Sequence, residues 1–437
     1  MSEYFDTCTG VKQGCLLSPT LFAIYLNDLH EHLEGGLQVD QTNIRLLMYA
    51  DDIIIMSDNP RTLQQMIYNL ECYCDKWGME VNQIKSEIMV FRKGGKLSTN
   101  EKWAYKGELI RIVNEYKYLG LILTPKLSFT KHLSKKEEAA KIALNSTWKH
   151  FIAKPSVNLT SKWKMFLAVC RSIHSYGAQI WGNSYFNEVE KLYRYFIKKI
   201  LKLPEATPNY VIALETGYEP GYIYTYSLHL QYLSKVLFDL ESHRLPHILV
   251  EKLANKNLAW FNDYSTQLSL HNINSNNVKI NKKSWMSAAQ QLLMDMKANK
   301  FNDHLQKAQQ SENRIYKYLD YNVGPMYCTE KFSQEQITLI LKARGDLMWL
   351  NFNKYRTSNE QRCSLCNLGE AENLVHFIGR CPVLANMRVR HFNRTLLDQT
   401  EIISILNGGE GFCWVNLLNF LKEARKYRNM LIEEFNY

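Results

Sequence analysis

The sequence predicts an α+β fold in which a mixed N-terminal part is followed by a mainly helical remainder, and three observations predict it. Between residues 18 and 123 the apolar positions switch between helical spacing and short runs rich in β-branched residues. From residue 126 onward helical spacing dominates, with prolines as punctuation. At 437 residues, 46% apolar and 22% charged, the chain is long enough for two or three domains with sizeable cores.

Residues 3–9 read as the end of a strand. A helix follows, with Ser18 as N-cap, Pro19 at N1, and Phe22, Leu26, Leu29 and Leu33 on one face before Gly35-Gly36 ends it. Leu46-Leu47-Met48 and Ile53-Ile54-Ile55-Met56 read as two strands joined by Tyr49-Ala50-Asp51-Asp52, a hairpin with a negatively charged tip. A second helix opens at Asn59-Pro60, keeps Leu63, Met66, Ile67, Leu70 and Trp77 on one side, and stops at Gly78. Short strands over Met79 to Val81, Ile88 to Phe91 and Ile110 to Leu123 complete a layer of helices on one face of an antiparallel sheet. Beyond residue 126, helices are predicted over Lys131 to Phe151, Ser161 to Tyr176, Asn187 to Leu203, Tyr224 to Asp239, Lys283 to Leu319, Ser333 to Arg344 and Trp414 to Phe435. The Asn- and Ser-rich stretch 255–282 reads as a loop or linker.

No run of 18 apolar residues occurs, and Glu3 and Asp6 interrupt any signal-peptide layout, so the expectation is a soluble intracellular protein without a membrane partner. Ten cysteines, scattered except for one cluster, then read as reduced thiols and a metal site. The net charge of +10 is concentrated: residues 126–202 hold 15 Lys or Arg against 4 Asp or Glu. Trp148, Trp163, Tyr176, Trp181, Tyr185, Tyr193 and Tyr195 are interleaved there, which suits a nucleic-acid backbone; the plain alternative is a solvated helix face.

Two candidate sites carry chemistry. The Asp51-Asp52 tip offers the hard oxygen ligands that Mg²⁺ prefers, although aspartates are equally at home in an ordinary turn. Cys363, Cys366, His376 and Cys381, spaced C-x2-C-x9-H-x4-C, supply three thiolates and an imidazole, a tetrahedral Zn²⁺ set of the closed, structural kind. Lys354, Arg356, Arg362, Arg380, Arg388 and Arg390 flank that cluster and suit nucleic-acid contact, while the last helix is expected to pack back on it.

The segment Gly10-Val11-Lys12-Gln13-Gly14-Cys15-Leu16-Leu17-Ser18-Pro19-Thr20-Leu21-Phe22, followed by Tyr49-Ala50-Asp51-Asp52, resembles the reverse transcriptase family, and its wording is most like that of the polymerases of non-LTR (LINE-type) retrotransposons. Asn82-Gln83-Ile84-Lys85-Ser86 and Tyr116-Lys117-Tyr118-Leu119-Gly120 follow in the family's order, and the C-terminal cysteine-histidine spacing with Pro382 resembles the motif of the same elements. The resemblance is strong over residues 3 to about 125 and weak from there to about 350. It implies a partial polymerase palm over 1–125, with the fingers and the first catalytic strand absent, a basic helical thumb over 126–254, a helical linker or connection over 255–350 and a zinc-knuckle region over 351–437.

By resemblance the reaction is RNA-templated DNA synthesis from deoxynucleoside triphosphates at a primed 3′-hydroxyl, with Mg²⁺ or Mn²⁺. Asp51 is then the direct metal ligand and Asp52 the weaker one. Gln13 and Gly14, with Ser18, Pro19, Tyr49 and Ala50, line the template and nucleotide site; Lys85 lies near the leaving group; Tyr118-Leu119-Gly120 holds the primer end. For Gln13 and Gly14 a mere helix-entry loop, and for Lys85 a surface charge, remain the alternatives. The family's first catalytic aspartate sits on a strand tens of residues before the Gly10 segment; nine residues precede Gly10 here, and Asp6 is too close to serve. The expectation is an N-terminally truncated chain, Met1 being internal, that is inactive alone; the alternative is a non-catalytic RNA- or DNA-binding remnant. No acidic and lysine cluster of an endonuclease follows Cys381, and no ribonuclease H pattern stands out.

Overall fold

The computed structural model describes residues 10–435 except 13, 40, 99–100, 256–258, 271–280, 312–314, 330–331, 353–356, 359 and 410–413. The strand expected over 3–9 lies outside the described residues. The chain divides after Phe129 into two compact units.

In the first unit the expected opening helix is two pieces, α1 (Ser18–Tyr25) and α2 (Leu29–His32). Leu17, not Ser18, is the N-cap; the Ser18 hydroxyl instead donates to the Lys12 carbonyl at 2.7 Å and closes the preceding loop, which moves Pro19 to the second helical position. The break at 26–28 lets Asp28 accept a hydrogen bond from the buried Tyr73 hydroxyl at 2.5 Å. Two hairpins follow, β1 (Leu37–Val39) with β2 (Thr42–Ile44) and β3 (Leu46–Tyr49) with β4 (Asp52–Ile55). Helix α3 (Pro60–Trp77) has the expected ends. The Asn59 side chain accepts from the Arg61 and Thr62 amides, and Gly78 adopts φ 64°, the left-handed stop that glycine makes without strain.

Where the sequence reading expected one antiparallel sheet, the described strands form five separate two-stranded ladders. One of them is parallel, β5 (Glu87–Ile88) with β8 (Arg111–Ile112), and no strand is assigned at 79–81. The strands are two to four residues long, so each ladder is set by its own turn or by packing on α3 rather than by a continuous sheet. The remaining pairs are β6 (Ala104–Tyr105) with β7 (Glu108–Leu109), and β9 (Tyr116–Tyr118) with β10 (Leu121–Leu123). Helix α3 serves two cores. Met66 and Tyr73 meet Leu26, Leu29 and Leu33 beneath Leu46, Ile53 and Ile55 of the charged-tip hairpin, whereas Ile67 meets Trp103 and Tyr105.

The second unit is helical throughout most of its length. Thr130–Thr147 continues as a π-turn to Ile152, and Leu159–Phe166 does the same through Arg171. Phe186–Ile200, Asn209–Thr216, Gly221–Phe238, Leu245–Asn255, Lys282–Gln309, Gln334–Arg344, Gln399–Asn407 and Trp414–Phe435 are the main further helices. The stretch expected as a linker also contains a helix, Ala259–Leu270, whose Tyr264 and Leu268 are buried. Apolar burial outweighs the low intrinsic helix preference of its Asn and Ser neighbours.

A fully buried ion pair ties this unit together. Arg344 Nε donates to Glu215 at 2.7 Å, Nη1 to the Leu406 carbonyl at 2.7 Å and Nη2 to the Asp320 carbonyl at 2.8 Å, while the Tyr327 hydroxyl donates to Glu215 at 2.6 Å. Breaking such a pair leaves a charge buried without its partner. Arg344→Ala is therefore expected to lower unfolding stability by about 3–5 kcal/mol, and Glu215→Ala added to it to cost much less than a second such loss. Urea titration of the single and double variants measures this; additive losses would refute the coupling.

Candidate functional site

The charged-tip hairpin is built so that its end is fixed while its carboxylates are free. Tyr49 pairs with Asp52, leaving the two-residue loop Ala50-Asp51, and Ala50 is held at φ 53°. For a residue with a Cβ that conformation costs about 1–2 kcal/mol, and the paired strands on either side impose it. Asp51, Asp52 and Tyr49 are exposed at the tip, above the apolar packing of Ile53 and Ile55 on α3. Tyr49 is 65% exposed. The structure thus presents two adjacent carboxylates on a rigid support.

The β9–β10 hairpin lies near enough for charge to be felt: burial first, then the Asp52 carboxylate, raise the Tyr118 phenol above its ordinary pKa. Its loop, Leu119-Gly120, has both residues at positive φ (45° and 82°), the turn whose twist matches a hairpin and which favours glycine at the second position. Lys85 stands in an exposed turn held by Asn82, whose side chain accepts from the Lys85 amide at 3.1 Å. Among the described residues no hydrogen bond or ion pair joins the Lys85 ammonium to the aspartates. Gly14, Ser18 and Pro19 lie in and after the exposed loop closed by the Ser18 to Lys12 bond; Gln13 lies outside the described residues.

In the basic segment the aromatic residues separate into two groups. Trp181 and Tyr193 are core, and Trp163 stacks on Phe166. At the surface, Lys199 lies 4.5 Å over Trp148, Lys141 4.7 Å over Tyr195, and Lys136 4.3 Å over Tyr176, so cation and ring are presented together. Not every basic residue faces outward: Lys162 is fully buried and donates to Gln334 at 2.5 Å.

Cys363, Cys366, His376 and Cys381 converge, their ligand atoms all within 4.8 Å of one another. Cys363 Sγ is 4.0 Å from Cys381 Sγ, and Cys366 Sγ is 3.4 Å from His376 Nε2. A tetrahedral zinc with Zn–S near about 2.3 Å and Zn–N near about 2.0 Å separates its ligand atoms by about 3.5–3.8 Å, so the donor set and its spacing fit a closed, four-coordinate metal. The Leu365 amide donates to Cys363 Sγ at 3.4 Å, as a thiolate-bearing turn requires. A hydrogen bond from Cys381, against the opposing effect of burial, holds the Cys363 thiol down to about 3 and pushes Cys381 up.

Local structure explains the convergence. Cys363 follows the bridge between Arg362 and Ala371, and His376 opens the π-turn His376–Arg380 with its amide bonded to Asn373. Cys381 begins the turn into the helix Ala385–Phe392. Arg388, expected to contact nucleic acid, is instead buried and donates to the Cys381 carbonyl at 2.6 Å and to Thr395 at 2.7 Å. Arg390 is paired with Glu423. Arg428 of the last helix is buried and forked onto Glu372 at 2.7 and 2.8 Å, which joins that helix to the ligand-bearing loop. Arg362 and Arg380 are exposed, and Lys354 and Arg356 lie outside the described residues.

Comparison with known proteins adds kinship to this geometry. Residues 2–123 match the family described as reverse transcriptase (RNA-dependent DNA polymerase). An RNA-directed DNA polymerase from mobile element jockey of Drosophila melanogaster is 24% identical over 204 residues, 45% of this chain and 22% of that protein. Probable RNA-directed DNA polymerases of the same fly are similar: that from transposon BS is 25% identical over 204 residues (45% and 22%), and that from transposon X-element 24% over 253 residues (55% and 25%). The chain thus covers 22–25% of the length of these relatives. Among the described residues no helix is long and apolar enough to cross a membrane.

Proposed function

We infer, from the membership of residues 2–123 in the reverse transcriptase family and their kinship with polymerases of non-LTR mobile elements, that this chain carries palm residues of an RNA-directed DNA polymerase. The supporting observation is the hairpin that carries Asp51 and Asp52, neighbours in sequence, at an exposed tip, near the Tyr118 hairpin. In the reaction a primer 3′-hydroxyl attacks the α-phosphate of a deoxynucleoside triphosphate paired to an RNA template, and pyrophosphate leaves. Mg²⁺ or Mn²⁺, when bound by Asp51 and Asp52, supplies activation of that hydroxyl and offsets charge on the departing pyrophosphate. Tyr118-Leu119-Gly120 positions the primer end. Gln13, Gly14, Ser18 and Pro19 shape the nucleotide and template side with Tyr49 and Ala50, and Lys85 offers a proton or charge to the leaving group. The basic helices after residue 126 act as the thumb, 255–350 as a connection, and the C-terminal region as a zinc knuckle on Cys363, Cys366, His376 and Cys381.

A second reading, a nucleic-acid-binding protein without catalysis, draws on one observation. Among the described residues, the cysteine and histidine cluster is the one group of three or more metal-ligating side chains, so the aspartate tip gathers two carboxylates and no third. Primer extension on an RNA template with Mg²⁺ or Mn²⁺ decides between them. Incorporation that Asp51→Ala abolishes supports the polymerase; incorporation that survives Asp51→Ala overturns it; binding without incorporation supports the second reading. Under either, affinity for a labelled single strand is expected to fall tenfold or more between about 50 and 200 mM salt as Lys and Arg release counterions. Fluorescence anisotropy measures this, and a flat response would remove the basic surface from the interface.

A further inference from the structure

We propose that Glu370 is the positioning residue of the metal centre, fixing which nitrogen of His376 faces the metal. The inference rests on the zinc reading above. Glu370 Oε2 lies 2.8 Å from His376 Nδ1, and the Glu370 carbonyl accepts from the Cys363 amide at 2.9 Å. One residue therefore grips the first and third members of the ligand set, one through its backbone and one through its side chain.

The chemistry follows from the imidazole. A neutral ring carries one N–H, and a carboxylate facing Nδ1 accepts that N–H, so the proton stays on Nδ1 and the Nε2 lone pair is free. Nε2 is the nitrogen that faces the sulfurs, 3.4 Å from Cys366 Sγ. The partner is local, six residues before the histidine in the chain. The ring is buried while the Glu370 side chain is 49% exposed, so the carboxylate reaches in from the surface to the ring. A carboxylate in this place also makes the ring a stronger ligand than a neutral acceptor would.

The test uses the full chain loaded with zinc, with zinc competed away by a chromophoric chelator at neutral pH and helical content followed by circular dichroism. Glu370→Ala is expected to weaken zinc binding about 10–100-fold, at unchanged helical content. Glu370→Gln, whose amide oxygen still accepts from Nδ1–H, is expected to recover most of that loss. Affinity within twofold of the parent in both variants would overturn the proposal, and so would equal weakening in both, since that would assign the effect to loop structure and not to the Nδ1 acceptor. A parent chain that takes up no zinc would instead overturn the metal reading, and this inference with it.

Discussion

On the zinc reading proposed above, adding a chelator, or replacing Cys363 with Ala, is expected to unfold the region from about residue 351 to the C-terminus while the rest of the helical unit persists. The reason is how the ligands are distributed. Cys363 and Cys366 lie on a loop with little regular structure, whereas His376 and Cys381 bracket a π-turn whose Phe377 and Ile378 are fully buried. Phe377 lies edge-on to Trp349 and to Phe420 of the last helix, so the ligand-bearing turn is also the centre of the local core. A structural zinc contributes about 10–16 kcal/mol to the fold that it closes, comparable with the whole stability of a typical domain. The buried Arg428–Glu372 pair, which is formed only if the loop is in place, goes with it. Limited proteolysis should show new cleavage beyond residue 350 in excess EDTA, reversed by Zn²⁺ and not by Mg²⁺. An unchanged cleavage pattern with and without chelator would sink the prediction.

What was legible in the sequence was local. Asn59-Pro60 and Gly78 mark the ends of α3 because capping is a matter of neighbouring residues, and Tyr49 to Asp52 reads as a hairpin tip for the same reason. The cysteine and histidine cluster was legible because its four ligands fall within 19 consecutive positions, 363–381, and all four converge. Pairing was not legible. Glu87 and Ile88 pair in parallel with Arg111 and Ile112, which no turn signal announces, and strands this short carry too few side chains to set a register. Long-range charge pairing was not legible either: Arg344 is buried against Glu215, 129 residues away, and Arg428 against Glu372, 56 residues away. A lone Arg in sequence is by default a surface residue, and only the fold shows which few are internal. Arg388 was expected at nucleic acid on that default, and it is buried, as is Lys162 of the basic segment. Glu370 had a weak signal, an acid between the second and third ligands, but its significance needs the position of His376 Nδ1.

Lowering the pH from 7 to 5 is expected to destabilise the helical unit by several kcal/mol through buried histidines. Burial pushes His174, His229 and His304 down to about 4. His132 adds to the depression at His174 against the pull of Glu137; at His304 the cations Lys300, Lys307 and Arg194 add to it against Asp303. At His229 the bond between Nδ1 and the Gln179 carbonyl opposes the effect of burial without overcoming it. In the unfolded chain each histidine titrates near about 6.5, so between 6.5 and 4 the unfolded chain binds more protons than the folded one. Stability is complete above that upper value and is lost as pH falls towards the lower one. At pH 5 each histidine accounts for about 2 kcal/mol. Buried Glu190 and half-buried Asp346, carboxyls whose pKa values are raised, act in the opposite sense and reduce the total. Acid also protonates metal-binding thiolates, so the decisive comparison is between variants: His174→Gln and His229→Gln, each neutral at both pH values, should flatten the loss measured by urea unfolding by about 2 kcal/mol apiece, whatever they cost at pH 7. A loss between pH 7 and 5 that is the same in parent and variants would show that His174 and His229 take up their protons without unfolding, and would refute the prediction for both.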